Sequence, residues 1–543
     1  MKNTKIYIRI LSSVLALTLC FAGCKQKAVP EETQVPVELA TPTPSAQPVA
    51  GGELIIPMPR NPFVTADYTG ANPLLVNTEE MRNLYSLVYD TLLRCDANNR
   101  LIPALAERWS VDETGKVWTL TLRENVLWHT DGDVFDADDV LYTIAQIRAL
   151  GGKSYYSWAS NVIERGEKID ERTVQITMKN SGSASLYALL FPVVCANDTS
   201  GQLNGTGLYK AAQVFDNSLE LVVNHQSWRR VPYIQTIRCL ARDSNDIALD
   251  SYEAGQLNFV PTSNVSAGKY RETDKTNVLD VMTQDCEVLL VNHNNSKLRD
   301  INVRKAIACA INRGAIVSNV YMNRAEICDV PVPPDSFLYD PASKVYDYDV
   351  AAAAAYLAQA GWVEKNEDGI LLKGGQPFTL RLLVNDSTES TYRKNVAAIV
   401  AQQLLSIGIL VEVETAKLSI GTTSEFEERL AARDFDMALA GFNLSRGGEL
   451  SAYLSRTGAR NYGGYASDTL ELYMRMTASA IEEKDMRETH AQLQQAFVDE
   501  LPFIVLGFRK SSIVHSAEIQ GIIEIRGVDA LRTVNQWYME TTE

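Results

Sequence analysis

The sequence lacks the patterns on which enzyme chemistry most often depends. Its 543 residues include only five histidines, and these are isolated from one another, so no H-E-x-x-H metal motif occurs. There is also no G-x-S-x-G elbow, no P-loop and no G-x-G-x-x-G behind a predicted strand. We therefore expect no catalytic activity, no cofactor and no metal site. The histidines are His129, His225, His293, His490 and His515.

The densest group of carboxylates does not have the order of a calcium loop. It lies in DGDVFDADDV, residues 131–140, and lacks the alternating acids and the later glutamate of an EF-hand. A structural interpretation fits better, because aspartate is favoured at helix N-termini. We predict a turn at Asp131-Gly132, followed by a helix that Asp136 caps and in which Asp139 occupies the third position.

Cysteines are few, and none lies near another at the spacing of a metal or redox motif. The chain has eight, with no C-x-x-C pair. Apart from Cys20 and Cys24, they are spread too widely for a small disulfide scaffold. Cys309 lies in the apolar segment IACAI, which predicts a buried thiol. One or two disulfides are an open alternative, and the sequence does not indicate which cysteines would pair. The six candidates are Cys95, Cys195, Cys239, Cys286, Cys309 and Cys328.

Positively charged residues are fewer than negatively charged ones. The chain has 51 lysines and arginines against 67 aspartates and glutamates, a net charge of −16. Nucleic-acid binding needs a basic surface, so we expect no nucleic-acid partner. The same charge disfavours adsorption to anionic lipid. The content of 46% hydrophobic and 22% charged residues is ordinary for a soluble globular protein.

Long apolar runs are absent except at the N-terminus. There, Lys2, Lys5 and Arg9 precede an uncharged run from Ile10 to Gly23. The run is too short for a membrane-spanning helix, which needs about 20 apolar residues. A basic head followed by a short apolar run is typical of a secretory signal peptide. We therefore predict that residues 1–23 are removed.

The end of this run resembles the lipobox of bacterial lipoproteins. Phe21-Ala22-Gly23-Cys24 places two small residues directly before a cysteine. We predict that Cys24 becomes the mature N-terminus and carries acyl chains, which anchor the protein to the membrane. The alternative is an ordinary signal peptide with an incidental cysteine. Residues 24–50 would hold the lipidated cysteine and an extended, proline-rich linker, so the fold begins near Gly51.

Hydrophobic periodicity predicts a mixed α/β fold after the linker. We predict strands at 51–58, 116–123, 173–179, 218–224 and 286–292. We predict helices at 78–93, 137–150, 302–321, 349–362, 391–409 and 485–500, with domain seams near residues 285 and 508.

Several motifs together resemble one family. The segment LAERWSVDETGKVWTLTLRENVLWHTDGDVFDADDVLY (105–142) resembles a motif of the oligopeptide, dipeptide and nickel-binding group of bacterial extracellular solute-binding proteins, which serve ABC importers. Further matches follow in the same order along the chain. They are GTGLYK (205–210), NHQSWRRVPYIQTI (224–237), VRKAIACAINR (303–313), YDVAAAAAYLAQAGW (348–362) and NYGGY (461–465).

The resemblance implies an α/β clamshell of two lobes, like that of periplasmic binding proteins. Lobe I would comprise residues 51–285, with an inserted subdomain, and 509–543, and lobe II residues 286–508. Closure about a hinge would bury a peptide or peptide-like ligand and strengthen polar contacts by excluding water. An ABC permease would receive the ligand from a monomeric receptor that is tethered outside the cytoplasm at the cell surface or in a periplasm.

The resemblance also implies a ligand site, although this sequence departs from its pattern. In peptide-binding relatives an acid follows an aromatic residue by three positions, in G-W-x-x-D, and pairs with the ligand's amino group. Here Phe442 replaces the tryptophan, and Ser445 carries no charge. Glu449 is a candidate substitute. Relatives also hold the ligand's main chain like an added strand, which by position implicates Phe442, Asn443, Leu444, Thr78, Glu79 and Glu80.

Arginine suits a ligand carboxylate, and tyrosine combines stacking with a hydrogen bond. On those grounds the further lining candidates are Arg446, Arg460 and Tyr462.

Other functions stay open. Because Ser445 is uncharged, a non-peptide ligand such as an oligosaccharide or a nickel chelate is an alternative to a peptide. A receptor that senses a solute instead of feeding transport would have the same sequence features. A surface hydrolase that uses paired carboxylates is the remote alternative.

Overall fold

The computed structural model describes residues 48–59, 72–76, 78–130, 132–215, 217–344, 347–386, 391–418 and 424–540. The predicted signal peptide, Cys24 and the linker up to residue 47 lie outside the described residues. Within those ranges, no helix is both long and apolar enough to cross a bilayer.

The strands begin immediately after the predicted linker. In chain order they are β1 Glu53–Pro59, β2 Leu93–Cys95, β3 Leu101–Pro103, β4 Ala106–Val111, β5 Val117–Leu122, β6 Ile163–Asp170, β7 Thr173–Met178, β8 Tyr209–Val214, β9 Ser218–Val223, β10 Thr236–Arg242, β11 Phe259–Thr262, β12 Thr276–Val291, β13 Ala325–Glu326, β14 Glu364–Lys365, β15 Leu371–Lys373, β16 Gln376–Pro377, β17 Thr379–Asp386, β18 Leu410–Lys417, β19 Met437–Asn443, β20 Phe503–Ser516, β21 Ile519–Gln520 and β22 Tyr538–Met539.

Helices alternate with these strands, most densely in the second half of the chain. They are α1 Glu79–Val88, α2 Ala137–Leu150, α3 Ala159–Val162, α4 Asn245–Glu253, α5 Ser296–Arg299, α6 Ile301–Ala310, α7 Arg313–Asn319, α8 Val350–Gln359, α9 Thr391–Ser406, α10 Glu425–Ala432, α11 Ser451–Leu454, α12 Asp468–Ser479 and α13 Glu483–Glu500.

Three larger sheets organise the described chain. The first has the order β1-β10-β9-β8, the second β4-β5-β7-β6, and the third β11-β20-β12-β19-β17-β18. In β12, alternating side chains enter the two cores on opposite faces of the third sheet. Leu289 and Val291 belong to one core, and Val288 and Leu290 to the other. Because both faces are buried, the apolar run CEVLLVN is nearly continuous rather than alternating.

The predicted helix cap is confirmed. The Asp136 side chain accepts a hydrogen bond from the Asp138 backbone N–H, at 2.8 Å. The Asp139 side chain returns to the Asp136 backbone N–H, at 3.1 Å, which completes a capping box. The carboxylates of this segment therefore fix the start of α2.

Two predicted helices differ from the structure. The predicted helix at 302–321 is two helices, because Asn312 leaves helical geometry and its side chain caps α7 through the Ala315 N–H. The predicted helix at 78–93 ends at Val88. Beyond it, buried Asp90 pairs with Arg229 at 2.9 Å, a long-range contact that local periodicity does not report.

The disulfide question has a plain answer among the described residues. The six cysteines from Cys95 to Cys328 are buried free thiols. Cys309 is 1% exposed, as the sequence predicted.

Candidate functional site

Two long strands carry the chain across the middle of the third sheet. β12 and β20 pair antiparallel, and their register breaks between Met282 and Cys286 and again after Glu287. At the first break, the Thr283 hydroxyl donates to the Arg509 carbonyl at 2.8 Å. Such irregularities bend a strand locally. We call β12 and β20 the crossing strands.

The predicted ligand segment lies beside this break. The Leu444 N–H donates to the Gln284 carbonyl at 2.9 Å, and β19 pairs with β12 along its whole length. On the other side, β17 pairs only with Met437 and Ala438. Among the described residues, positions 439–443 therefore have a strand neighbour on one side only.

Side chains of this segment divide between the core and the surface. Phe442 and Leu444 are each 3% exposed, and the Phe442 ring centre lies 4.4 Å from that of Tyr453. Both residues are therefore almost entirely buried in this structure, their backbone included. Asn443 is exposed, and its amide donates to Asp285 at 2.8 Å.

A buried ionic network supports the segment from behind. Glu287 is 3% exposed and accepts two hydrogen bonds from Arg393, at 2.9 and 3.0 Å. Arg509 approaches it to 3.2 Å, and the Tyr392 hydroxyl donates to it at 3.2 Å. Burial raises the pKa of Glu287, but Arg393, Arg509 and Tyr392 together outweigh burial, so the pKa is lowered and the carboxylate is charged.

Gly441 is required by this network. It lies opposite Glu287 in the pairing of β12 with β19. A Cβ at this position would collide with the Arg393 guanidinium. The bare backbone therefore makes room for the arginine, which gives a physical reason for glycine directly before Phe442.

Glu79 is a predicted candidate whose carboxyl group is partly buried. It begins α1, and no hydrogen-bond or ion-pair partner for its side chain is present in the described part of the chain. Burial raises its pKa to about 7, and Arg82 opposes the shift while Asp285 and Asp529 reinforce it. Glu79 is thus within electrostatic range of Asp285, which accepts a hydrogen bond from Asn443 at the end of β19.

The two neighbours of Glu79 have other environments. Thr78 caps α1 by accepting from the Met81 N–H at 3.3 Å, and Glu80 is exposed. The Arg82 guanidinium lies 4.0 Å above the ring of Tyr155 and so does not pair with Glu79.

The residues after Leu444 form a turn with local and distant contacts. Ser445 is exposed, and its hydroxyl accepts from the Gly447 N–H at 3.2 Å. Glu449 is exposed and accepts from the Ser451 N–H at 2.7 Å. Arg446 instead pairs with Asp529, at 2.5 Å. Burial lowers the pKa of Arg446, but Asp529 and Cys95 together outweigh burial, and the net pKa is raised.

The last two candidates are linked to the segment through one tyrosine. The Arg460 guanidinium donates to the Tyr453 hydroxyl at 3.2 Å, and that hydroxyl donates to the Asn443 carbonyl at 3.0 Å. Tyr462 is partly buried against the same core. Both line a small cavity at Phe503.

The histidines are not gathered into a metal site. Among the described residues, no group of three or more histidine, cysteine, aspartate or glutamate side chains is placed to hold a metal ion. Burial lowers the pKa of His129, His293 and His490 to about 4, so these side chains are neutral at pH 7. His293 Nε2 lies 2.8 Å from the Pro502 carbonyl, a structural contact.

Sequence reasoning missed the charged residues around the segment. These come from distant parts of the chain, so no local motif joins them. One signal was available, because Glu287 is a lone charge inside the apolar strand CEVLLVN, and a charge in such a place is nearly always paired. The missed residues are Arg82, Asp285, Glu287, Arg393, Arg509 and Asp529.

Known proteins resemble this chain over almost all of its length. It is 24% identical to the oligopeptide-binding protein AppA of Bacillus subtilis over 549 aligned positions, which cover 96% of each protein. The structure of that protein with a nonapeptide has a TM-score of 0.65 at 21% identity and covers 91% of this chain and all of the other. NikZ from Campylobacter jejuni, solved with Ni(L-His), has a TM-score of 0.67 at 22% identity, over 90% and 99%.

These structural neighbours are two-lobed periplasmic binding proteins, and the expected α/β fold of two lobes is thereby confirmed. The sequence model of the bacterial extracellular solute-binding proteins, family 5, matches residues 100–463, more than half of the chain. The chain belongs to that family of solute-binding proteins.

Proposed function

We propose that the protein is the substrate-binding component of an ABC importer and captures peptides or peptide-like solutes outside the cytoplasm. The observation that carries this proposal is that positions 439–443 have no strand partner among the described residues on the side away from β12. Main-chain pairing binds extended peptides with little demand on their side chains. The structure of B. subtilis AppA with a nonapeptide supports the same ligand class.

The division into lobes follows the crossing strands. We propose lobe I as residues 51–285 with 509–543, and lobe II as residues 286–508. The register breaks of β12 and β20 lie at these boundaries, where a bend costs few ladder hydrogen bonds. Closure about this point would bring the exposed end of β19 against α1.

Recognition of the ligand's amino terminus is assigned to Glu79 in place of the uncharged Ser445. Nearby carboxylates are already neutralised, Asp285 by Arg509 at 2.8 Å and Asp529 by Arg446 at 2.5 Å. Glu79 has no such partner among the described residues. An ammonium group arriving beside Asn443 would supply the missing counter-charge. The binding role needs no catalytic group.

Delivery completes the proposal. An acylated Cys24 and the linker 24–50 would keep the receptor near its permease and raise its effective concentration there. A nickel chelate is the competing ligand class, since NikZ was solved with Ni(L-His).

The test compares two forms of one nonapeptide, with a free and with an acetylated amino terminus, by calorimetry. The wild type should bind the free form more tightly, and more so at pH 8 than at pH 5.5. The sign follows because the pKa of Glu79 is about 7, so its carboxylate is charged at the higher pH. A charge-assisted hydrogen bond of about 2 kcal/mol corresponds to a preference of roughly thirtyfold.

Glu79→Gln should abolish both the preference and its pH dependence. Glu113→Gln is the matched control, because Glu113 is exposed in the turn between β4 and β5. This change should leave the preference for a free amino terminus intact. A preference that survives in Glu79→Gln would contradict the role of Glu79. Failure of the wild type to bind either form would contradict the peptide class.

A further inference from the structure

A short turn near the C-terminus carries two opposite charges that both pair with the other side of the hinge. Arg526 and Asp529 close the turn, since the Asp529 N–H donates to the Arg526 carbonyl at 3.0 Å. The Arg526 guanidinium binds both oxygens of Asp335, at 2.8 and 2.9 Å. Asp529 binds Arg446 at 2.5 Å. The turn thus pairs its cation, Arg526, with an aspartate and its anion, Asp529, with an arginine.

The turn is fixed to its own lobe. The Gly527 N–H donates to the Met282 carbonyl at 3.1 Å, on the lobe I side of the register break. A Cβ on Gly527 would lie 2.7 Å from the Ser511 hydroxyl and 3.2 Å from the Thr283 methyl group. The turn therefore sits directly on both crossing strands and moves with them.

Its two partners lie beyond the break. Arg446 follows Leu444, which is bonded to Gln284 within the break. Asp335 lies in a loop whose next contact also reaches across, because the Phe337 N–H donates to the Asn98 carbonyl at 2.9 Å. Rotation about the break would carry both partners away from the turn.

Burial of these charged side chains makes their separation costly in free energy. The Arg526 side chain is 2% exposed, and those of Arg446 and Asp529 are 21% and 26% exposed. Charges withdrawn from water to this extent need a partner, so a state that separates them must rehydrate each one. The two ion pairs run in opposite senses, Arg526 to Asp335 and Asp529 to Arg446. This crossed pairing makes the contact specific, because a shifted turn would bring two arginines or two aspartates together.

We propose that the turn Arg526–Asp529 is a closure latch, whose crossed ion pairs with Asp335 and Arg446 hold the two lobes together over a bound solute. The inference rests on the proposed function, because it requires lobes that open and close. It also couples capture to closure, since Arg446 continues the segment that contacts the ligand. A solute seated along 439–445 would position Arg446 for Asp529.

The test is charge reversal, read out by interlobe distance. Cysteines introduced at exposed Lys153 and Lys484 carry spin labels, one in each proposed lobe of the full chain, and pulsed electron resonance reports the distances in protein freed of solute by dialysis. Asp529→Arg should raise the ratio of open to closed molecules about fivefold or more. Adding Arg446→Asp should restore the wild-type distribution.

Controls separate the latch from folding and from the ligand class. Asp529→Asn tests loss of the charge without repulsion, and Asp434→Asn removes a carboxylate paired within one lobe, to Arg381 at 2.9 Å. Unchanged distances in Asp529→Asn and Asp529→Arg, with a normal melting temperature, would overturn the latch. If distances respond but native mass spectrometry finds no peptide in the wild type, the latch stands and the peptide proposal fails.

Discussion

At the scale of single residues, the site depends on charges whose partners are far apart in the chain. The sequence alone indicated that Ser445 could not pair with an ammonium group. It did not single out Glu79, the acid that we propose for this role, because the proposal depends on the tertiary contacts of Asp285 and Asp529. Local motifs report residue types at fixed spacing, and the distribution of counter-charges is set only by the fold.

The buried glutamate behind the segment gives a prediction about stability. Glu287→Gln should lower the free energy of unfolding by about 3–5 kcal/mol, because it leaves Arg393 buried without its counter-charge. Arg509 would lose one of its two carboxylate partners and keep Asp285. Chemical denaturation with an unchanged m-value measures the loss. Glu167→Gln is the matched control, since Glu167 pairs with Arg165 at 2.7 Å on the surface and should cost less than about 1 kcal/mol. An equal loss in the free energy of unfolding for the two changes would contradict the stabilising role of Glu287.

At the scale of elements, periodicity and capping predicted most helices and strands, and tertiary contacts set the exceptions. The cap at Asp136 was predicted because its partners lie within three residues. The division of 302–321 into α6 and α7 was not, since apolar spacing continues through Asn312 while the backbone turns. Gly408, two residues after the end of α9, has a φ of 91°, which suits glycine.

The turn after Ser445 gives a prediction at this scale. Gly448 has a φ of 71°, and a Cβ there would lie 2.5 Å from His490 Cε1 and 2.7 Å from Leu338 Cδ1. Gly448→Ala should therefore destabilise the protein by about 2–4 kcal/mol, through backbone strain and overpacking together.

Thermal unfolding and ligand capture check this prediction, because the same change should displace the residues that follow Leu444. Gly369→Ala provides the comparison, since Gly369 has a φ of 79° with nothing within 4 Å of the added Cβ and should show only the backbone cost of about 1–2 kcal/mol. If the two variants melt alike, the packing of Gly448 against α13 is not limiting.

At the scale of the whole molecule, the family and its two-lobed fold followed from motifs spread over the chain, and the matched segment 100–463 covers most of them. The motifs do not specify the ligand. The chain is similar both to a relative named for oligopeptides and to one named for nickel.

Membrane attachment is predicted to depend on one residue, Cys24, whose sulfur and amino group would both carry acyl chains. Cys24→Ala should move the protein from the membrane fraction into the soluble or unprocessed fraction, while affinity for a peptide stays unchanged, because the anchor is separate from the cleft. Fractionation and mass spectrometry of the N-terminus measure both. An acylated mature terminus at another residue would contradict the assignment to Cys24.

Native mass spectrometry of the mature protein, purified without denaturation, tests the central claim most directly. We predict a series of adducts in the mass range of short peptides, released by mild heating and sequenced by fragmentation. A mixture is expected because main-chain pairing along 439–443 binds peptides with little regard to side chains. A single adduct with the mass of a sugar or a metal chelate would contradict the peptide proposal and show that the cleft serves another solute.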